Sequence, residues 1–276
     1  MYLIIVRVGE IFLKSPFVFD QMKKRLAYNI RNGLAVQNIK SKVYEDHSKI
    51  FIETKNLKKT EKILCHTFGV SSFSVVNKID SDINKIKAVT KKIAAKWKAG
   101  TKFAVRTKRI DKTFRYTSEE VNKKIGRVIS KMGFAVDLTN PDKEIFIDIS
   151  KKTYIYSEKI SGPGGLPLKQ ARLECDLRKK EDIIAAWFIM KRGLLPYFSK
   201  KSKKKLLRII EKWAVGKELR LPDKKKKKYM KAIISSETDI NKIKALKDKK
   251  KKVILTPLVG LNKEHIKNKI KNLELC

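Results

Sequence analysis

"LECDLRKKEDIIAAWFIMKRGLLPYF", Leu173 to Phe198, decides the architecture of the C-terminal part of this chain. The strand-like run "ARLECDL" leads into a helix from Glu181 to Arg192, and "LLPYFS" follows as a second strand. The same alternation continues with a helix over Lys203–Val215, a strand "ELRLP", a helix over Lys225–Ile234, a strand "KVILTPL" and a helix over Lys263–Leu273. Strand alternating with helix predicts a parallel sheet covered on both faces. Units of this kind often hold a nucleotide on a glycine-rich loop between first strand and first helix, because glycine lets backbone N–H groups come close to phosphate. Here that loop has no glycine and no serine.

Upstream, "GPGGLP", Gly162 to Pro167, is a stiff turn and a natural domain edge. The N-terminal segment opens with the strand "YLIIVRV", followed by a helical pattern from Phe19 to Asn32 with Met22, Leu26 and Ile30 four residues apart. Strands "KSKVYED" and "KIFIET" come next, with "HS" near the turn, then the helix "LKKTEKILCHTF" ending at Gly69. The order β-α-β-β-α predicts a ferredoxin-like α+β domain over residues 1–75. A second domain, 76–167, begins near Val75. It holds the helix "DSDINKIKAVTKKIAAKW" with an apolar stripe from Ile83 to Trp97, and the strand "TKFAVRTKR". A second helix, "TSEEVNKKIGRVISKMG", has Thr117 as N-cap, Glu120 three residues on, and Val121, Ile125, Val128, Ile129 and Met132 inward. "FAVDL", "KEIFIDIS" and "TYIYSEKIS" complete the layer. The third domain is 168–276.

The 276 residues carry 67 Lys and Arg against 28 Asp and Glu, a formal charge of +39. Such a chain repels itself at low salt, so a polyanion is the natural partner, and nucleic acid is the first choice. An anionic membrane surface is the competitor, but there is no apolar run of about 18 residues, no signal-peptide pattern and no lipidation motif, and the expected location is cytoplasmic. Lysine enrichment across a whole proteome is a third source of the charge. From 169 onward the chain carries 33 Lys and Arg against 12 Asp and Glu, so the third domain is the most basic per residue. Its runs "KKSKKK", "DKKKKKY" and "KDKKKKV" read singly as solvated helix ends or loops; three together favour a phosphate-facing surface. Cys65, Cys175 and Cys276 are far apart and no C-x-x-C occurs, so neither a zinc site nor a dithiol is written here. His47, His66 and His265 are equally scattered. In "EKILCHTFGV" Cys65 reads as a buried thiol beside a surface imidazole, His66.

The stretches "FAVRTKRIDKTFRYTSEEVNKKIG", "VDLTNPDKEIFIDI" and "SGPGGLP" together resemble the THUMP region of the tRNA 4-thiouridine synthetases, the ThiI-type tRNA sulfurtransferases. "VRVGEIFLKSP" with the helix ending "RLAYNI" resembles that family's N-terminal ferredoxin-like domain, and the motifs occur in the family's order over some 165 residues. The resemblance implies α/β and α+β architecture: ferredoxin-like domain, THUMP domain, and a C-terminal PP-loop (Rossmann-like) α/β domain. In it, "IIAAWFIMKRG" matches the helix that follows the family's S-G-G-x-D-S loop, and "VILTPLVGLNKEHI" matches a later motif. Counting back from Ala185, the loop positions fall on Leu177, Arg178, Lys179, Lys180, Glu181 and Asp182: a degenerate nucleotide loop of charge without a shaped cradle, with Glu181 and Asp182 as first-turn helix residues. "IISSETDINKIKAL" keeps no glycine or glutamine of the family's G-E-S-x-G-Q-x-x-S-Q-T stretch. No cysteine pair stands ready for a persulfide, and Cys175 reads as a buried structural thiol.

The partner implied is tRNA. Arg106, Lys108 and Arg109 end a strand, Lys112 and Arg115 lie on the loop beyond, Ser118 opens a helix whose N–H groups attract anions, and Tyr116 would stack on an unpaired base. Phe114 is better explained by packing. The first expectation is a tRNA-binding protein with no catalytic residue, no metal and no cofactor. The second is a component of tRNA thiolation, with ATP on a divergent loop or a separate catalytic or sulfur-donor protein supplying what is missing. The third is a general rRNA- or RNP-binding protein. Relatives suggest a homodimer.

Overall fold

A computed structural model describes residues 1–46, 49–219, 230–250 and 252–275. His47 and its turn, Cys276, most of "ELRLP", the run "DKKKKKY" and the start of the helix expected at Lys225 lie outside the described residues.

The elements run β1 (Tyr2–Val8), a 3-10 turn (Glu10–Leu13), α1 (Pro16–Val36), β2 (Ser41–Asp46), β3 (Lys49–Thr54), α2 (Leu57–His66), β4 (Val70–Asp80), α3 (Ile83–Ala94), β5 (Lys102–Arg109), α4 (Ser118–Ser130), β6 (Ala135–Val136), β7 (Lys143–Ile149), β8 (Lys152–Tyr156), β9 (Ile160–Ser161), β10 (Lys169–Cys175), α5 (Lys180–Lys191), β11 (Leu194–Phe198), α6 (Lys204–Glu211), β12 (Ala232–Ile234), α7 (Ile240–Lys250), β13 (Val253–Leu255) and α8 (Lys263–Leu275). β4 completes the β-α-β-β-α-β order of a ferredoxin-like segment. The described residues cluster into two compact units, one of Met1–Val6, Phe51–Glu53 and Phe73–Ile160, the other from Arg7–Ile50, Thr54–Ser72 and Ser161 onward.

In the first unit the strands lie in the order β3-β1-β4-β8-β7-β5-β6. β5 runs parallel to β7, from Phe103 opposite Lys143 to Arg109 opposite Ile149, and β7 pairs antiparallel with β8. Alternation along β5 and β7 sends Phe103, Val105, Ile145, Ile147 and Ile149 into one core with Ile86 and Ala94 of α3 and Val121, Ile125 and Ile129 of α4. Met132, expected inward, is exposed: it lies past the end of α4, where the helical stripe no longer governs direction.

The second unit contains a four-stranded sheet, β11-β10-β12-β13, parallel throughout. Leu173, Glu174 and Cys175 lie opposite Ala232, Ile233 and Ile234, which lie in turn opposite Val253, Ile254 and Leu255. β12 corrects the helix expected over Lys225–Ile234: its last three residues, Ala-Ile-Ile, are half or fully buried between two strands, where the β-branched pair fits better than in a helix. α7 was not foreseen. α5 buries Ile183 to Trp187, Ile189 and Met190, apolar nearly all round as befits a helix covered on every side.

Against α5 stands an aromatic cluster. Phe68 packs edge-on to Trp187 and tilted to Trp213, each at 5.5 Å, and His66 lies 4.9 Å from Trp213. Nearby, Asn29 Nδ2 donates to the Leu168 carbonyl at 3.1 Å. The "GPGG" turn is locked to the same unit by Gly69 N–H donating to the Gly164 carbonyl at 2.8 Å and Leu166 N–H to the Lys191 carbonyl at 2.9 Å. Gly165 has φ +74°, and a Cβ there would run into the Lys191 carbonyl, so only glycine serves.

The expected pairing of a buried Cys65 with a surface His66 is inverted. His66 is buried and Cys65 only half so, because the inward face of α2 is set by Trp213, a residue distant in sequence. Burial lowers the His66 pKa; its Nδ1–H donates to the Lys62 carbonyl, which works the other way, while Lys212 and Lys62 add repulsion. A histidine whose folded pKa lies below its unfolded value adds stability above the unfolded value and loses it as pH falls from there toward the folded one. The melting temperature is therefore expected to drop between pH 7.5 and pH 5.5 more steeply for the native chain than for His66→Phe. Parallel curves would show that the imidazole does not contribute.

Candidate nucleic-acid interface

The basic residues read from the sequence fall into two groups. Alternate residues of a strand face opposite ways, so Arg106 and Lys108 share one face of β5 and Arg109 takes the other. Arg109 is committed to structure: its Nη1 donates to the carbonyls of Phe114 (3.2 Å) and Tyr116 (3.4 Å), holding the loop that follows β5. Arg106 reaches the β6 edge, where Nε pairs with Glu144 at 2.9 Å and Nη2 donates to the Leu138 carbonyl at 2.7 Å. Lys108, Lys112 and Arg115 are exposed. Arg115 and Lys124 both lie over the Tyr116 ring, at 5.5 and 4.6 Å from its centre. Phe114 and Tyr116 are partly buried against the first unit's core, so packing explains Phe114, as expected, and much of Tyr116.

Ser118 begins α4, but that helix start already holds anions. Thr117 and Glu120 form a reciprocal capping box: Glu120 N–H donates to Thr117 Oγ1 at 3.2 Å, and Thr117 N–H donates to Glu120 Oε2 at 2.8 Å. The Thr117 backbone N–H and hydroxyl hold the Glu120 carboxyl below its ordinary range, and Glu119 pairs with Lys123 at 2.7 Å. An incoming phosphate at Ser118 meets two carboxylates. Thr117→Ala is expected to cost about 1 kcal/mol of stability, read from a urea midpoint; no shift would deny the cap its role.

What the sequence reading passed over is a groove of ≈ 760 Å³ between α4 and the β5–β6 edge. Val136 and Leu138 line it at 52% and 61% exposure. The loop that presents Leu138 is shaped by Asp137, whose Oδ1 accepts from the N–H groups of Thr139 and Asn140. Arg106, Lys123, Arg127 and Lys131 stand round the groove, with Glu119 at its edge paired to Lys123, and Gly126 leaves the helix side open, with nothing near its absent Cβ. Lys123, Arg127 and Lys131 recur every four residues opposite the buried Val121–Ile125–Ile129 stripe, so the basic stripe was there to be read.

In the second unit, the loop after β10 sits at the carboxyl end of a parallel sheet, where α/β folds place ligands. Three of its amides, those of Leu177, Arg178 and Lys179, are already engaged by side chains. The N–H groups of Arg178 and Lys179 both donate to Asp182 Oδ2, at 2.8 and 2.9 Å, and Ser236 Oγ donates to Asp182 Oδ1 at 2.5 Å. Asp182 belongs to the first turn of α5, as expected, yet its carboxylate also serves as the loop's own anion. Arg178 pairs with Asp176 at 2.7 Å, and Glu181 is half-buried. Cys175 is buried, and desolvation pushes its thiol well above the ordinary range, reinforced by the Asp182, Asp176 and Glu174 carboxylates, an environment that disfavours the thiolate. Among the described residues no three His, Cys, Asp or Glu side chains are grouped to hold a metal ion, and no described helix is long and apolar enough to cross a membrane.

The profile of the ThiI ferredoxin-like domain matches residues 3–74, and that of the THUMP domain residues 80–158. A "Probable tRNA sulfurtransferase" of Methanocaldococcus jannaschii is 36% identical over 202 residues, 69% of this chain and 53% of that protein. The chain belongs to the ThiI-type THUMP family. A family member of the same printed name from Saccharolobus solfataricus is 33% identical over 238 residues, 80% of this chain and 62% of its own length. The chain thus spans between half and two thirds of these ThiI-type relatives. A solved structure of a protein from Pyrococcus horikoshii Ot3 superposes with a TM-score of 0.84 at 28% identity, covering 99% of this chain and all of that one. A 4-thiouridine synthetase solved with RNA and bound ATP gives a TM-score of 0.80 at 19% identity, covering 99% and 85%, and shares the fold.

Proposed function

We propose that this ThiI-type THUMP chain binds tRNA through its THUMP domain and does not carry an adenylation step on its own loop. The observation that carries the binding is the Lys123–Arg127–Lys131 stripe beside the exposed floor of Val136 and Leu138: cations for phosphates and an apolar surface for unstacked bases, within the segment that matches the THUMP profile. Lys108, Lys112 and Arg115 extend the basic surface, while Arg109, Tyr116 and Ser118 act by shaping the loop and helix start. The absence of adenylation is supported by Asp182, whose carboxylate occupies two of the loop amides, those of Arg178 and Lys179, that would face a pyrophosphate. The loop Arg178–Asp182 is then a vestige, and the chain uses no cofactor.

A competition experiment tests this. Labelled tRNA displaced by unlabelled tRNA, but only at much higher concentration by an unrelated RNA of equal length, supports the reading; equal displacement favours a general rRNA- or RNP-binding role. The likeness to probable tRNA sulfurtransferases favours a second reading, in which the chain serves tRNA thiolation with a partner that supplies the adenylating loop and sulfur-carrying cysteine. Loss of 4-thiouridine from tRNA on deletion, with pyrophosphate release only when a partner is added, would establish it. Co-purification with crosslinked RNA would identify that partner and show whether the chain is a homodimer.

A further inference from the structure

The carboxyl rim of the second unit's sheet has a charge distribution that the proposed function leaves unused. β10 and β11 are adjacent and parallel, so the loops after them, 176–179 and 199–203, lie side by side. They are tied together: Ser199 Oγ donates to Asp176 Oδ1 at 2.9 Å, Leu177 N–H to Ser202 Oγ at 3.1 Å, and Lys203 N–H to the Leu177 carbonyl at 2.9 Å. Three carboxylates here, Asp176, Asp182 and Glu237, are engaged by the loops themselves, while Glu181 and the exposed Asp239 stand beside them. Asp176 accepts from Ser199 and Arg178, Asp182 from two amides and Ser236, and Glu237 from the amides of Thr238 and Asp239 at 3.0 and 3.1 Å. All three are at least partly buried, whereas Arg178, Lys179, Lys180, Lys200, Lys201 and Lys203 are exposed. Hydrogen bonds hold these three acids to the loops, and the exposed cations outnumber the two remaining acids, Glu181 and Asp239.

We infer that this rim is a second seat for the RNA phosphate backbone, built where the fold would otherwise hold a nucleotide; the inference rests on the tRNA-binding reading. A free phosphate finds a poor cradle, since the amides of Leu177, Arg178 and Lys179 are occupied, and lysines offer point charges that hold one anion weakly. A phosphodiester chain instead meets several cations at once and releases a counterion at each. A lipid surface is the poorer fit: Leu177 and Ser202 are buried, and neither loop exposes an apolar side chain for the bilayer interface.

The test is tRNA affinity across a salt series for the native chain and for K179E/K180E/K200E/K201E. A second variant, K55E/K58E/K267E/K271E, makes the same charge change elsewhere, and K179R/K180R/K200R/K201R keeps the rim's charge. Binding is expected to weaken by about 30-fold or more in the rim variant, with the salt slope of log K falling by about three. The arginine variant should bind like the native chain and the distant reversal should cost clearly less. A rim variant no worse than the distant one overturns the second seat while leaving the THUMP reading intact. No tRNA binding by the native chain overturns both. Loss of binding to vesicles containing phosphatidylserine, with tRNA affinity unchanged, overturns it in favour of a lipid surface.

Discussion

Replacing Arg106, Arg127 and Lys131 together by alanine is expected to lower tRNA affinity about 100-fold or more, a loss near 1 kcal/mol for each phosphate contact removed. The three stand round one groove, and Arg127 and Lys131 belong to a stripe that turns away from the core, so their truncation leaves Val121, Ile125 and Ile129 packed. Arg106 pairs with an only partly shielded Glu144, whose release into water costs little, but its Nη2 also holds the Leu138 carbonyl, so the double change of Arg127 and Lys131 serves as the control that leaves the groove floor tethered. The set excludes Arg109 deliberately: removing the tether to Phe114 and Tyr116 would loosen a loop and confuse lost contact with lost structure. Filter binding of a tRNA transcript by protein with an unchanged melting curve makes the measurement. Retained affinity would remove the groove from the account and return attention to Lys108, Lys112 and Arg115.

The second large effect is on stability. Trp213→Ala is expected to destabilise the second unit by about 3–5 kcal/mol, the range for deleting a buried aromatic side chain. Trp213 touches His66, Phe68 and Trp187, so its loss opens a cavity where α2, the chain after it and α5 meet. The indole N–H has no hydrogen-bond partner among the described residues, so packing alone is lost. Against a typical stability of about 5–15 kcal/mol, that is a large fraction. Urea unfolding should show the midpoint falling sharply for alanine and much less for phenylalanine. A midpoint shift under about 1 kcal/mol would mean that the cluster is not a keystone of this unit.

How much of this was legible depended on range. The capping box of Thr117 and Glu120 is written in four consecutive residues and stands as read. The alternation of Phe103 and Val105 fixed the inward face of β5, and the helix expected from Glu181 to Arg192 lies within one residue of α5 at each end. β4 escaped notice because "VSSFSVVNKID" breaks alternation with serines, its strand character coming from neighbours on both sides. β12 was hidden behind lysines. The His66 inversion and the double use of Asp182 were illegible for the same reason: each side chain's direction is decided by partners far along the chain, Trp213 in one case and Ser236 in the other. The groove lay between these extremes. Its basic stripe has a four-residue period that the sequence displays, but its apolar floor depends on how Asp137 shapes the loop bearing Leu138.

Under the proposed function the chain grips tRNA while its own loop holds no ATP. Equilibrium titration of labelled ATP into the tRNA-saturated protein, with pyrophosphate release followed in the same sample, tests it most directly. Tight, salt-sensitive tRNA binding is expected, with neither ATP uptake nor pyrophosphate above the level of tRNA alone. One equivalent of bound ATP, or tRNA-dependent pyrophosphate release by the chain alone, would contradict it.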